Sequence, residues 1–458
     1  MSTSRGGIID TLPIIPPTTL ASTSSNFVHH PQLVMHLALR LAVLATAASN
    51  VAAIAVDVNN PNSVSDAAGA LAATLYTYHD PSSTIGQFQQ PEPWFWWLSG
   101  SAWTALIDYT AYTNDYTYVE DIQTSLSRNL GPALDFAPAS QAGWEANDDQ
   151  AYWVYNALTA LEYGFPSLEC QPSNAIVNTS CANSWYSISV HIFEEFVNRW
   201  QYSDDTCNGG LTWQYNAAAT GNSATYKNTV TNGGFFQLAA RLARYTNNAT
   251  YADWATQIYD WTEGVGLIAD GWHVYDGTSI EQNCSVVNAA EYSYNVASYI
   301  HGTANMFAYH GSGNGSEGGT LWEARTHVLI GAANESFFSP FPNATGIMYE
   351  TMCEFDLSCD TDQASFKGSL ARWMSKAAVL VPSTKEIVMD LLTTSAQGAA
   401  ASCSGLDGST CGEKWYVGGY DGARGFGQQL AGLEVMLSLM VDNAPKLATL
   451  SANSSANN

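Results

Sequence analysis

Two consecutive aspartates, Asp148 and Asp149, stand where a helical pattern begins among aromatic residues. Cleavage of a glycosidic bond needs two carboxyl groups, of which one donates a proton and the other attacks or stabilises the sugar cation. Aromatic faces beside such a pair offer stacking surfaces for sugar rings. The stretch from residue 141 to residue 153 therefore indicates a carbohydrate-active enzyme.

Acidic residues in the first turn of a helix also have a purely structural use, because each stabilises the helix dipole by about 0.3 to 1 kcal/mol. Two other acidic pairs compete for the chemical role. Asp204 and Asp205 lie in a polar loop where turn formation explains them. Glu194 and Glu195 lie in the middle of a helical pattern and should face solvent. Neither rival pair is flanked by a comparable aromatic cluster.

The charge balance excludes some partners. The 458 residues include 15 Lys and Arg against 41 Asp and Glu, so the net charge is -26, which repels phosphate backbones and anionic lipid surfaces. Nucleic acid is therefore excluded as a partner. Only 12% of residues are charged, so Ser, Thr, Asn, Gln and Gly must supply most of the surface, as in secreted proteins. Core packing accounts for most of the aromatic residues whatever the function.

The N-terminal region predicts entry into the secretory pathway. From Met35 a short basic start leads into an apolar stretch with small residues at signal-cleavage spacing. Residues 1–34 lack periodicity, so we interpret residues 1–55 as an upstream extension and a signal peptide. A retained membrane anchor is the alternative, but His36 and Arg40 interrupt the apolar run, which falls short of a span of about 20 residues.

Glycosylation sites support the same compartment, because an Asn-x-Ser/Thr acceptor is usable only in a secretory lumen. The seven sites are Asn178, Asn248, Asn283, Asn314, Asn334, Asn343 and Asn453.

The eight cysteines form no Cys-x-x-Cys or His-spaced cluster, so disulfides are expected rather than a zinc site. Eight cysteines allow about 105 connectivities. Short separations favour Cys170 with Cys181, Cys353 with Cys359, and Cys403 with Cys411, which leaves Cys207 for Cys284. We expect no metal and no cofactor.

Twelve segments carry apolar residues at spacings of three and four, which predicts amphipathic helices. They are 63–79, 94–113, 116–131, 148–164, 183–200, 228–246, 250–266, 291–310, 319–332, 362–381, 386–399 and 426–441. Six helical hairpins can close into a double ring, with six outer helices around six inner ones and a cleft where the loops converge at one end. No linker interrupts the run, so we expect one all-α catalytic domain over residues 56–441, followed by a polar tail at 442–458.

Two loop segments alternate polar and apolar residues, which is typical of short strands. They are Gly210–Tyr215 and Gly271–Gly277. We expect them to form small hairpins that line the cleft.

Several stretches together resemble glycoside hydrolase family 76, over about Val56 to Val441. They are Trp94–Tyr109, Asn147–Trp153, Tyr226–Arg244, Val274–Gly277, Tyr292–Asn295, Thr361–Gln363 and Cys411–Trp415. The resemblance implies an (α/α)6 barrel and endo-acting hydrolysis of α-1,6-linked mannan with retention of configuration. The fungal branch, which these motifs resemble most, is associated with cell-wall assembly through the mannose core of glycosylphosphatidylinositol (GPI) anchors. Relatives in that branch commonly end in a hydrophobic anchor-addition tail, unlike the polar residues at 442–458.

By that resemblance Asp148 would be the nucleophile and Asp149 the acid/base. A retaining enzyme holds two such carboxyl groups about 5 to 5.5 Å apart. A helix N-terminus favours the ionised form of Asp149, whereas an ionised Asp148 and burial beside aromatic rings raise its pKa. We expect the repulsion between the two carboxyl groups to prevail.

Sugar recognition should use flat aromatic faces and planar amides or carboxylates. The candidates are Trp96, Trp97, Asn232, Asp276, Tyr294, Asn295, Asp362 and Gln363. Alternative interpretations are barrel core for the two tryptophans, a turn residue for Asn232 and a helix cap for Asp362. The partners implied are α-1,6-mannan or the GPI-anchor mannose core, with a β-glucan as a candidate acceptor and no obligate protein partner.

Other enzyme classes lack their motifs, because the sequence has no Walker A loop, no Gly-x-Ser-x-Gly and no His-Glu-x-x-His. Two hypotheses remain. The protein is a secreted endo-α-1,6-mannosidase at the cell wall or outer membrane surface, which hydrolyses its substrate or transfers the cleaved glycan. The alternative is a catalytically idle mannose-binding wall protein.

Overall fold

A computed structural model describes residues 54–88, 95–141, 143–166, 184–201, 205–215, 222–311, 317–405 and 407–450. The described residues form thirteen α-helices and three short strands. In chain order these are α1 (Pro61–Tyr76), α2 (Trp96–Thr113), α3 (Val119–Asn129), α4 (Asn147–Tyr163), α5 (Trp185–Gln201), the single turn α6 (Asn222–Thr225), β1 (Tyr226–Asn228), α7 (Thr229–Thr246), α8 (Ala249–Gly264), β2 (Tyr275–Ser279), β3 (Val287–Glu291), α9 (Ser293–His310), α10 (Glu317–Phe337), α11 (Gln363–Leu380), α12 (Lys385–Ser402) and α13 (Phe426–Ser438).

Local sequence signals fix several helix ends. Helix α1 begins with Pro61, which needs no hydrogen-bond acceptor there, and the Asn60 side chain accepts from the Asn62 N–H at 3.1 Å. Helices α2 and α4 end at Asn114 and Gly164 in the left-handed conformation, with φ of 59° and 66°. These residue types tolerate that conformation, so the chain can turn sharply into the next helix.

Six long helices form a closed inner ring in the order α2, α4, α7, α9, α11 and α13, with α13 packing back against α2. The other six long helices pack around this ring. Burial follows the same division: in α2, 15 of 18 residues are buried, whereas in the outer helix α5 only 7 of 17 are. A helix that is buried on all sides belongs in the interior. The predicted (α/α)6 barrel is therefore confirmed.

The three strands form one antiparallel sheet beside the start of α7. Strand β1 pairs with β2, and β2 pairs with β3, where Tyr275 lies opposite Glu291. The predicted hairpin at 271–277 is confirmed in part, because its strand begins only at Tyr275. The hairpin predicted at 210–215 is also confirmed only in part, because no strand is assigned over these described residues. The Trp213 N–H donates to the Tyr226 carbonyl at 2.7 Å and the Gln214 N–H to the Ser223 carbonyl at 3.1 Å, and Gln214 also bridges Ala146 at the start of α4.

Three disulfides join Cys207 to Cys284, Cys353 to Cys359 and Cys403 to Cys411, as predicted. The predicted pair Cys170 and Cys181 lies outside the described residues. Among the helices that the structure describes, none combines the length and apolar character needed to cross a bilayer.

Candidate active site

A groove of about 640 Å³ opens at the end of the barrel where the inner helices begin. Inner helices all run in one direction, so their first turns converge there. The groove is lined by Phe95, Trp96, Trp97, Gln141, Trp144, Glu145, Ala146, Asp148, Asp149, Tyr152, Trp213, Gln214, Tyr226, Asn228, Val230, Asp276, Tyr292, Tyr294, Asp360, Asp362, Gln363 and Phe366.

The loop at 211–215 holds the start of α4 in place. The Asn147 N–H donates to the Trp213 carbonyl at 2.9 Å, and the Asn147 amide nitrogen donates to the Thr212 carbonyl at 2.8 Å. Arg199 of α5 donates to the Asn147 side-chain oxygen at 2.8 Å. These bonds use the polar atoms of Asn147, so the next two side chains, Asp148 and Asp149, enter the groove from a fixed helix start.

Asp148 is surrounded by hydrogen-bond donors. Its Oδ2 accepts from the Asn228 amide at 3.0 Å, and its Oδ1 accepts from the Asp149 backbone N–H at 3.0 Å. The Trp213 side chain also donates to it. Burial raises the pKa of Asp148 to about 6, while these donors oppose the rise. The carboxyl is therefore ionised at neutral pH.

Asp149 accepts from the Ala146 backbone N–H at 2.9 Å, as an acidic residue at the third position of a helix often does. Burial raises the pKa of Asp149 well above its usual range, and the neighbouring Asp148 carboxylate raises it further. Burial is therefore a larger cause of the raised pKa than the repulsion from Asp148 that we expected to prevail. Asp149 therefore keeps its proton at a pH where Asp148 has lost its own.

Further carboxyl groups surround this pair. Burial raises the pKa of Glu145 and of Asp362 to about 8, and burial also raises the pKa of Asp276. The Asp276 carboxylate accepts from the Tyr226 hydroxyl at 2.6 Å and from Asn288 at 3.2 Å. Among the described residues that line the groove there is no Lys or Arg. The groove is thus acidic and disfavours anionic ligands.

Aromatic rings form the walls of the groove. Trp97 packs against Tyr152 with ring centroids 4.4 Å apart, and its indole N–H donates to Asp362 at 3.1 Å. Tyr294 stacks on Phe366 at 3.8 Å. Trp144 is 80% exposed and offers a free ring face at the groove. Such rings can stack on the apolar faces of sugars.

Eight of the ten predicted site residues line the groove: Trp96, Trp97, Asp148, Asp149, Asp276, Tyr294, Asp362 and Gln363. Trp96 was predicted either to bind sugar or to belong to the barrel core, and its position suits both. It reaches the groove, while its ring stacks on Trp153 and its indole N–H donates to Asn129 at 2.8 Å. Asp362 makes no cap hydrogen bond at the start of α11, and Asp360 accepts from the Gln363 N–H at 3.0 Å instead.

Asn232 and Asn295 do not line the groove, contrary to prediction. Asn232 is fully buried, and its amide bonds both the N–H and the carbonyl of Leu211, at 2.8 and 3.1 Å. Asn295 is also fully buried, and its amide opposes the rise that burial causes in the pKa of Asp276. Both residues therefore lie beneath the groove surface. Asn232 holds the loop at Leu211, and Asn295 lies near Asp276.

Of the rival acidic residues, Glu194 and Glu195 are not among those that line the groove. Glu194 is exposed, as expected. Glu195 does not face solvent, contrary to prediction: it accepts from Arg199 at 3.2 Å and from Gln150 of α4 at 2.8 Å. The side chains of Asp204 and Asp205 lie outside the described residues.

One group of potential metal ligands occurs among the described residues, away from the groove. Asp135, His191 and Glu195 bring their ligand atoms within 4.8 Å of one another. Glu195 already accepts from Arg199 and Gln150, so its charge is matched.

The sequence did not single out Glu145, Tyr226 and Asn228 as groove residues. Glu145 lies within the stretch that drew attention to the aspartates, so proximity to Asp148 was a usable signal. The segment Gly210–Tyr215 was expected to line the cleft, and its residues Trp213 and Gln214 do so.

Adjacent carboxyl groups with opposite protonation preferences, set in an aromatic groove, are what a glycoside hydrolase requires. The chain belongs to glycosyl hydrolase family 76, whose sequence profile matches residues 61–451.

Curated relatives cover most of the chain. It is 38% identical to the mannan endo-1,6-alpha-mannosidase DCW1 of Saccharomyces cerevisiae, over 86% of this chain and 82% of the relative. It is 33% identical to the mannan endo-1,6-alpha-mannosidase DFG5 of the same yeast, over 86% and 81%.

Solved structures share the fold. Dfg5 from Chaetomium thermophilum, crystallised in complex with glucosamine, superposes with a TM-score of 0.75 at 31% identity, over 86% of this chain and 94% of that one. An α-1,6-mannanase of Salegentibacter, solved as an inactive variant with α-1,6-mannotriose, superposes with a TM-score of 0.62 at 16% identity, over 82% and 99%.

Proposed function

We propose that the protein is an endo-acting α-1,6-mannosidase that retains anomeric configuration. The observation that carries the proposal is the unequal pair in the groove: Asp148 has hydrogen-bond donors that favour its carboxylate, and Asp149 is held protonated by burial and by Asp148. The named activity of the fungal relatives supports the same linkage.

In this proposal Asp148 attacks the anomeric carbon while Asp149 gives its proton to the departing glycosidic oxygen, leaving a mannosyl ester on Asp148. Asp149 is then ionised and takes a proton from the next nucleophile, which attacks the ester and releases Asp148. Water gives hydrolysis, and a sugar hydroxyl gives transfer. The second step restores both starting protonation states.

The remaining groove residues bind the glycan. Trp97 and Tyr294 offer ring surfaces for mannose, while the carboxyl groups of Asp276 and Asp362 accept from sugar hydroxyls. Mannan is uncharged, yet the groove holds the Asp148 carboxylate with no Lys or Arg among its described lining residues. A glycan that also carries an amine gains attraction there, and the Chaetomium relative was crystallised with an amino sugar. We therefore propose the mannose core of a GPI anchor as the finer substrate, with a β-glucan as acceptor.

The proposal places the enzyme outside the cell, secreted through the signal peptide that starts at Met35 and acting at the cell wall. Three of the predicted glycosylation acceptors, Asn248, Asn283 and Asn343, are exposed. Three disulfides in the described residues suit an oxidising compartment.

The test is incubation of the purified protein with α-1,6-mannooligosaccharides, with products identified by mass and the first-formed anomer by NMR. We expect internal cleavage with retention, lost in Asp148→Asn and kept in Asp253→Asn, which changes an exposed aspartate of α8. Adding a β-glucan should yield a mannosylated glucan. Binding of mannooligosaccharides without any product would support the idle mannose-binding alternative and refute the proposal.

A further inference from the structure

A second cavity of about 390 Å³ lies at the opposite end of the barrel, where the inner helices end. Its polar lining includes the cations Arg244 and Lys376, the ring of His301 and the carboxylates Glu162 and Asp442, of which Asp442 pairs with Lys385; its apolar walls include Leu380 and Val441. This volume is at the small end of the range for ligand sites. The cavity shares no lining residue with the groove.

The cavity meets a buried ionic network inside the barrel. It consists of two neighbouring groups of ion pairs: Arg241 and Arg244 share Glu162, and Arg372 and Lys376 pair with Asp108 and Glu434. Among the described residues, the first group has one positive charge in excess even when its carboxyl is ionised, and the second is balanced when both of its carboxyls are ionised. A buried charge without a counterion is energetically costly. The excess positive charge therefore favours a counterion, although the protein as a whole is acidic.

The two cations at the cavity each share their counterion. Glu162 pairs with Arg244 at 2.7 Å and with Arg241 at 2.7 Å. Asp108 pairs with Lys376 at 2.7 Å and also lies 3.5 Å from Arg372. Burial lowers the pKa of Lys376 to about 8 in spite of Asp108. Arg244 is therefore under-compensated at the cavity, and Lys376 beside it adds a second buried cation.

His301 adds an unused polar group. It is only 3% exposed, its ring stacks on Trp373 at 4.6 Å, and its Nδ1 has no hydrogen-bond partner among the described residues. Burial and the nearby Arg241 lower its pKa, so the ring is neutral. A buried polar atom without a partner destabilises the folded state. The same cavity thus combines an unmatched positive charge with an unsatisfied polar atom.

We propose that this cavity binds a small monovalent carboxylate with an apolar body, its head beside Lys376 and Arg244 and its body against Leu380 and Val441. One negative charge matches the single excess charge, whereas a dianion would over-compensate it. The walls favour a hydrocarbon body over a sugar. The proposal is independent of the function assigned to the groove.

The chain beyond α13 completes the site. The Ala448 N–H donates to the Glu162 carbonyl at 2.9 Å, and the Leu450 N–H donates to the Tyr245 carbonyl at 2.7 Å. These bonds fasten residues 444–450 across the barrel end. Lys446 lies exposed at the cavity and adds a cation. The segment after residue 441 therefore forms part of a binding site as well as a tail.

Calorimetric titration of the full chain with octanoate, octan-1-ol and octylamine tests the proposal. We expect saturable binding of octanoate and at least about tenfold weaker binding of the alcohol and the amine. Lys376→Met should weaken octanoate binding at least about tenfold, while Asp108 keeps Arg372 as a counterion. Lys367→Met is the matched control, since Lys367 is a buried lysine of the same helix at the groove end, and it should leave octanoate binding unchanged.

A second variant avoids the ionic network in case Lys376→Met does not fold. Ala308→Trp places a large ring at the half-buried cavity wall and should abolish octanoate binding without removing a charge. Absence of octanoate binding, equal binding of octan-1-ol, or unchanged binding in Ala308→Trp would each overturn the proposal.

Discussion

The hydrogen bond from Asn228 to Asp148 should set the acidic limit of activity. In the proposed mechanism Asp148 must be ionised to attack, and its pKa is already raised to about 6 by burial. The Asn228 amide, 3.0 Å from Oδ2, opposes that rise. Asn228→Ala removes this donor from a buried position, so the carboxylate loses stabilisation relative to the protonated form.

The size of the effect follows from the charge on the acceptor. A hydrogen bond to a charged group contributes about 1.5 to 3 kcal/mol, which corresponds to a pKa rise of about 1 to 2 units at about 1.4 kcal/mol per unit. The sign is upward, because the protonated form is favoured. At pH 5, where Asp148 is mostly protonated even in the native enzyme, the ionised fraction should fall about 10- to 100-fold.

The assay is kcat/KM on an α-1,6-mannooligosaccharide between pH 4 and 9. We expect the acidic limb of the Asn228→Ala profile to move upward by about 1 to 2 units, with a much smaller loss on the plateau. Asn288→Ala is the control, because Asn288 donates to Asp276 instead, and its acidic limb should stay in place. An unmoved limb in Asn228→Ala, with only a uniform loss of rate, would refute the assignment of Asp148 as the group that must ionise.

Two further outcomes are expected. Trp97→Ala removes a groove wall and the indole donor to Asp362, so KM for mannotriose should rise about tenfold or more in steady-state kinetics; an unchanged KM would exclude Trp97 from sugar binding. Glu162→Gln removes the shared counterion of Arg241 and Arg244, so chemical denaturation should show a loss of about 3 to 5 kcal/mol. Because Glu162 lies at the far end from the groove, kcat/KM below the unfolding temperature should change little, and a large kinetic effect without destabilisation would contradict this view.

The barrel was predictable because amphipathic helical segments recur along the whole sequence. Apolar residues at helical spacing identify every long helix, with most ends correct to within two or three residues, because the outer helices must bury one face and the inner ones several. Helix α10 continues to Phe337, five residues past its predicted end at 332. A run of Ala and polar residues there carries little periodic signal.

The site was predictable only in part. The motifs at the beginnings of inner helices identified Asp148 and several other groove residues. The first turns of these helices all point to the same end of the barrel, because the inner helices run in one direction. Motif position could not separate Asn232 and Asn295 from the groove residues, because an inner helix is buried on all sides and periodicity does not show which buried polar side chain reaches the groove. Glu195 was assigned to solvent from its position in the middle of a helical pattern, which does not show that Gln150 of α4 and Arg199 contact it.

The proposed mechanism requires that Asp148 form a covalent bond to mannose, while Asp149 donates a proton in the first step and accepts one in the second. The most direct measurement is mass spectrometry of proteolysed enzyme after reaction with a 2-deoxy-2-fluoro-α-mannosyl fluoride extended by an α-1,6-linked mannose, which slows release of the ester. We expect a sugar attached to the peptide at Asp148, and no adduct in Asp148→Asn. A sugar on Asp149, or turnover without any adduct and with inverted product, would contradict it.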